Sequence, residues 1–152
     1  MDVLPFNAER SVYLPAIDAE HIQIYCTLEA VRAAVTAGSG RDEAGRLLQR
    51  LAAEVCEHFS HEERLMRVSG YPEYAWHKRQ HATAKANVKE LLEGFATMDL
   101  EALPAQLDAV HGWLSYHVSV ADTMASSHIR NYQRIHSLPG KGSTARKVKR
   151  VQ

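Results

Sequence analysis

Residues 42–68 read DEAGRLLQRLAAEVCEHFSHEERLMRV. Within this stretch Ala44, Leu48, Leu51, Val55, His58, Glu62 and Leu65 recur at alternating steps of three and four. That spacing lines side chains along one face of a helix. The stripe begins apolar and then, with no change of rhythm, takes up a histidine and a glutamate. Gly70 ends it and Pro72 follows just beyond, a combination that stops a helix. One such face cannot bury itself, so the remainder of the chain must supply its partners.

It supplies three more helices of the same kind. The first is predicted from about Asp18, read as its N-cap, to Ala37, with Gly38 as the stop. Its stripe is Ile17, His21, Ile24, Leu28, Val31, Val35. The third is predicted from about Glu73 to Met98, with Tyr74, His77, His81, Ala84, Val88, Leu91 and Phe95 inward. The fourth starts near Glu101 and can reach Ile135, with Leu103, Leu107, Val110, Leu114, His117, Ala121 and Met124 inward. Alternating Val/Ile/Thr runs are missing, so strand signals are weak. Short connections make successive helices antiparallel neighbours. The predicted fold is all-α, an antiparallel up-down-up-down four-helix bundle. An irregular N-terminal arm, residues 1–16, precedes it, and its Val3, Leu4, Phe6, Val12, Tyr13 and Leu14 are suited to packing on the bundle. The bundle with its arm takes residues 1–136, and residues 137–152 read as a flexible, disordered basic tail.

Composition bounds the possibilities. The chain has 152 residues, 45% of them hydrophobic, which suffices for one core. Lys+Arg and Asp+Glu both number 18, which argues against a dedicated nucleic-acid binder. No apolar run is long enough to cross a bilayer, and no signal-peptide h-region follows Met1, so no membrane insertion is expected. Cys26 and Cys56 show no CxxC spacing and read as free thiols in a reducing compartment, so the expected location is cytoplasmic. Lys141, Arg146, Lys147, Lys149 and Arg150 give the tail its charge. The plain reading is a solvated segment; docking to a protein partner with an acidic surface, or to a membrane surface, is the alternative.

The chemistry lies in what interrupts the apolar stripes. His21, His58, Glu62, His77, His81, His117 and Asp122 sit on or beside the inward faces. A lone buried histidine is usually a satisfied core residue. Seven ionisable groups in one small core are too costly unless something binds them. Antiparallel packing brings the start of the first helix, the end of the second and the start of the third to one level, which the fourth helix also passes. His58/Glu62 and His77/His81 are i,i+4 pairs, so each pair faces one way. His117 and Asp122 are five apart, about 140° on an ideal helix. Asp122 therefore reaches inward from the edge of the stripe, or the helix carries a π-bulge there. A histidine-rich set of this size suits a pair of irons better than a single ion. Lys78 follows His77 where a metalloprotease HExxH would need Glu. Glu63 is expected to face solvent. His61 and His111 are candidates to hydrogen-bond to the ligand histidines.

These residues resemble a known family. His58-Phe59-Ser60-His61-Glu62-Glu63 is similar to the HFxxEE motif of hemerythrins, and His77-Lys78-Arg79-Gln80-His81 to their HxxxH. The run from Trp113-Leu114 through His117 to Asp122 resembles their WLxxHxxxxD, and Ile17-Asp18-Ala19-Glu20-His21 the segment of the first histidine. Gly70-Tyr71-Pro72 resembles the usual loop between the second and third helices. The likeness spans about residues 10 to 135 and points to stand-alone prokaryotic hemerythrins. It implies that His77, His81 and His117 bind one iron and His21 and His58 the other. Glu62 and Asp122 would bridge the two Fe2+/Fe3+ ions, together with an oxo or hydroxo group. Dioxygen would bind at the vacancy left on the second iron. Ile24, Trp113, Leu114 and Val118 stand within about a turn of these positions; the resemblance makes them the wall of the dioxygen pocket, and ordinary core packing is the plainer reading.

The function expected is reversible dioxygen binding at a non-haem diiron centre, for carriage, storage or delivery, rather than enzymatic turnover. Sensing of oxygen or redox state through a partner is one alternative. A diiron enzyme acting on peroxide or nitric oxide is another. Ferritin-like diiron oxidases use Glu-x-x-His pairs on two helices, a pattern missing here.

Overall fold

The stripes assemble as four rods. A computed structural model describes residues 10–137; Val3, Leu4, Phe6 and residues 138–152 of the basic tail lie outside the described residues. Helix α1 spans Pro15–Thr36, α2 Arg41–Ser69 and α3 Tyr74–Phe95. A 3-10 turn at Leu100–Ala102 leads into α4, Leu103–His117. A π-helical turn, Val118–Asp122, joins α4 to α5, Thr123–Ser137, so these three form one rod. Among the described residues every regular element is helical, and the fold is an all-α four-helix bundle.

One apolar cluster shows the topology. Val31 and Ala34 from the end of α1 meet Ala44, Leu47 and Leu48 from the start of α2, Leu91 and Phe95 from the end of α3, and Leu103 and Leu107 from the start of α4. Ends and beginnings alternate, so the rods run up, down, up, down. Each fully buried Leu here contributes about 1.5–3 kcal/mol relative to exposure. Arg41 closes this end: its guanidinium donates to the carbonyls of Phe95 (2.5 Å), the last residue of α3, and Met98 (2.6 Å), in the connection that follows. At Gly45 an added Cβ would stand 2.9 Å from the Phe95 ring, so α2 and α3 approach closely there. At the other end of α2, Gly70 adopts φ 64°, the left-handed C-cap anticipated at that position.

The helix boundaries differ from the sequence reading in two instructive places. Helix α1 begins at Pro15, ahead of Asp18, because proline at the first helical position brings a preset φ and has no N–H to leave unpaired. Asp18 is therefore not a cap; its carboxylate accepts from the Val12 N–H (2.8 Å) and the Ser11 hydroxyl (2.6 Å) and holds the arm on the helix. Val12 and Leu14 are buried as expected, but Tyr13 is 70% exposed. Its outward ring lies under the Arg130 guanidinium, which also donates to the Val12 carbonyl. So α5 does run past the middle of the bundle to clasp the arm.

The second difference is the phase of the fourth rod. Met124, expected inward, is 51% exposed, whereas Asp122, Ala125, Ser126 and Ile129 are buried. The π turn accounts for this. Its i→i+5 bonding accommodates one more residue per turn and rotates everything after it. The Thr123 hydroxyl donates to the Val118 carbonyl, five residues back, at 3.0 Å. Among the described residues no helix is long and apolar enough to cross a membrane.

Candidate metal centre

All seven singled-out side chains converge at one level of the bundle, each at most 3% exposed. Each rod delivers its share by the route its local sequence prescribes. Helix α1 presents His21 one turn after Ile17; α2 presents His58 and Glu62 four apart; α3 presents His77 and His81 four apart; α4 ends on His117. The π turn then swings Asp122 inward, which an uninterrupted α-helix would have pointed sideways.

The donors divide into two groups that share one member. In the first, donor atoms of Glu62, His77, His81, His117 and Asp122 all lie within 4.8 Å of one another; His21, His58 and Asp122 make the second. The Nε2 atoms of His77, His81 and His117 form a triangle with sides of 3.1, 3.2 and 3.1 Å. The Nε2 atoms of His21 and His58 are 3.2 Å apart. Asp122 reaches both ways: Oδ1 lies 3.1 Å from His77 and 3.0 Å from His117, while Oδ2 lies 3.1 Å from His21. Glu62 Oε2 lies 3.2 Å from both His77 and His81, and its Oε1 is buried with no hydrogen-bond partner.

This arrangement fits metal ions. Donors about 2.0–2.1 Å from one cation and at right angles to each other stand about 3 Å apart, the spacing of the triangle. Without a cation, three ring nitrogens 3.1–3.2 Å from one another cannot all be paired: at least two of them must carry the same group, lone pair or N–H, and face each other. Tautomers support the same conclusion. His81 Nδ1 lies 3.1 Å from Glu63 Oε1, and His58 Nδ1 lies 2.9 Å from Glu20 Oε2. A carboxylate only accepts, so each Nδ1 must donate, and in the neutral ring each Nε2 is left as a bare lone pair facing the centre.

Two of these partners revise the sequence reading. Glu63, expected in solvent, is only 12% exposed, because the second carboxylate of the pair folds back onto His81; Lys85 (3.9 Å) and Lys78 (4.0 Å) flank it. Glu20 was not singled out at all. It spans His58 and His61, at 2.5 Å from His61 Nδ1, so His61 meets the centre through Glu20 rather than directly. Nothing in a single sequence marks Glu20, since its target lies on another helix. His111 packs edge-on against Tyr25.

Aromatic rings hold the three-histidine side in place. Phe59 stacks on His81 with centroids 3.9 Å apart and planes 10° from parallel. Trp113 stacks on His117 at 4.6 Å and 16°. Phe59 is fully buried although it stands one residue off the predicted stripe. Ile24, Leu114 and Val118 are buried in the surrounding apolar cluster, and Trp113 packs half-buried at its edge.

The metal-free electrostatics are those of a carboxylate–imidazole cluster. Burial pushes Asp122 up, but hydrogen bonds from His117, His21 and His77 outweigh it and hold the carboxyl well below its ordinary range. Glu62 is likewise lowered, burial and the neighbouring Asp122 being overcome by His77 and His81. Burial opposes charge on His77, yet Asp122 and Glu62 raise it to about 9. His81 is lowered, by burial first and by the neighbouring His77 and His117 charges next. Burial lowers His58 too, but the Glu20 hydrogen bond and the Glu62 and Asp122 charges raise it, so the cluster keeps both carboxylates ionised and favours protons on His77 and His58.

Fold and centre together define a class: a helical bundle that can hold metal in a buried layer of imidazoles and carboxylates. The hemerythrin HHE cation-binding domain matches residues 13–125. The chain belongs to the hemerythrin family, whose domain binds metal cations. A solved structure described as that of a leucine-to-phenylalanine mutant superposes with a TM-score of 0.75 at 22% identity, over 85% of this chain and 98% of that one, and shows the shared fold. No curated protein sequence matches this chain.

Proposed function

We propose that this protein binds dioxygen reversibly at a pair of iron ions and carries, stores or delivers it rather than transforming a substrate. The observation that carries the reading is the uneven division of histidines about a shared carboxylate: three on one side of Asp122, two on the other. In this reading His77, His81 and His117 hold one iron, His21 and His58 hold the other, and Asp122 and Glu62 join them. Once bound, such a pair supplies the two electrons that reversible dioxygen capture requires.

The chain's own residues set the conditions. Five imidazoles and two carboxylates give the irons little negative charge, which disfavours highly oxidised states and supports a carrier over an oxidase. Glu63 and Glu20 fix the tautomers of His81 and His58, so that each offers a lone pair and keeps its proton on the outer nitrogen. Phe59 and Trp113 stop two ligand rings from turning. Ile24, Leu114 and Val118 exclude bulk water from the layer, which protects a reactive centre from side reactions. Trp113 joins this wall while bracing His117.

The test is direct. The protein is loaded with ferrous iron without air, its metal content is measured, and oxygen is admitted and then removed. About two irons per chain and a colour that develops and fades with oxygen are expected for a histidine-rich diiron carrier. A single irreversible conversion with released peroxide would overturn the carrier reading in favour of an oxidase.

A further inference from the structure

Helices α3 and α4 do not close on each other over their full length. Between them lies a cleft of about 490 Å³, with Val55 of α2 at its back. Its floor is apolar and buried: Val55, Ala84, Leu91 and Leu114 are each at most 9% exposed. Its rim is exposed and carries Asn87, Glu90 and Gln106. The space exists because small residues line it, Ala84 at a seam position and Ala109 and Gly94 at the exposed rim. At Gly94 an added Cβ would meet nothing within 4 Å. Three floor residues stand three positions from a candidate metal ligand on the same helix: Val55 from His58, Ala84 from His81, Leu114 from His117. Trp113, stacked on His117, also lines the cleft.

A diatomic gas needs only a small fraction of this volume. Clefts that hold small organic molecules run to about 300–1,000 Å³, apolar within and with a few polar groups that set orientation. The rim here offers two amides and one carboxylate, and Glu90 is the one charged residue among those lining the cleft. We propose that the α3–α4 cleft binds a small amphiphile, its apolar body on the Val55–Ala84–Leu91–Leu114 floor and a cationic or neutral hydrogen-bonding head at Asn87, Glu90 and Gln106. This site is separate from the metal layer, one shell of side chains away, and does not depend on what gas the metals bind.

The test uses the full-length, metal-loaded protein and N-phenylnaphthylamine, a neutral apolar dye that brightens on leaving water. Saturable binding of one dye per chain is expected, displaced by decylamine and decanol at lower concentration than by decanoate. Ala109→Trp and Gly94→Leu fill the cleft from its exposed rim, where they leave the core packing alone. Each should weaken dye binding by about tenfold or more, since the displaced aromatic rings lose their apolar seat. Glu90→Lys changes only a surface charge and should reverse the order of decylamine and decanoate, each by about threefold to fivefold. Retained affinity in both filled variants, or an unchanged amine–carboxylate order in Glu90→Lys, would overturn the proposal. So would a solution dimer that excludes the dye until it is diluted to monomer, because a second copy would then be the occupant.

Discussion

The two ends of the bundle are built from the same four rods with the same three-and-four stepping, yet they hold together differently. At the far end Val31, Leu48, Leu91, Phe95, Leu103 and Leu107 meet one another and need nothing more. At the near end the equivalent inward positions hold five imidazoles and two carboxylates, with Glu62 Oε1 buried and unpartnered. The first region closes on apolar burial, with Arg41 as its polar clasp. The second gathers buried donor groups that metal cations can satisfy. A bundle can host such a layer because the rest of its core is self-sufficient.

The largest effect on that division comes from the residue both metal groups share. Asp122→Ala should lower bound metal, measured by elemental analysis, by about half or more, because ligands bound as a unit fail together. Full metal retention would break the comparison. In the apolar end, Leu48→Ala should lower unfolding stability by about 2–5 kcal/mol in chemical denaturation while metal content per chain stays unchanged. Metal loss in that variant would show that the two ends are not independent. Glu20→Gln should weaken metal affinity by about tenfold to a hundredfold in chelator competition, the usual effect of loosening a ligand's supporting carboxylate. It should leave the melting of the metal-free protein nearly unchanged, because Glu20 is partly exposed.

The pH response sharpens the same contrast. In the metal-free protein His77 is raised to about 9, so its favourable contribution is complete below its ordinary value of 6.5 and is lost as pH rises through 9. Metal binding needs that nitrogen bare. Apparent metal affinity should therefore increase with pH up to about 9, while metal-free stability declines over the same interval. Denaturation with and without a chelator across this range measures both. Parallel pH profiles with and without metal would contradict the competition of proton and metal for His77.

Much of this architecture was legible in the chain. The inward stripes of residues 42–68 and their three partners announced four helices, and the polar interruptions announced the centre. Asp122 was the difficult residue, five positions from His117, and a π-bulge was one of two ways to bring it inward. The π turn is the one the structure uses, and it carries a consequence that the stripe missed, the outward turn of Met124. Glu63 was misplaced because its partner lies on the next helix. Glu20 went unread for the same reason.

Sequence by itself determined the helices and the inventory of groups they turn inward, because helical periodicity is a local property, set by residues three and four apart. Tertiary structure alone decided which donor faces which, how Asp122 divides its oxygens, which carboxylates brace the histidines, and where small residues leave a cleft. Those outcomes depend on distances between residues far apart in the chain, and only the packed bundle sets such distances.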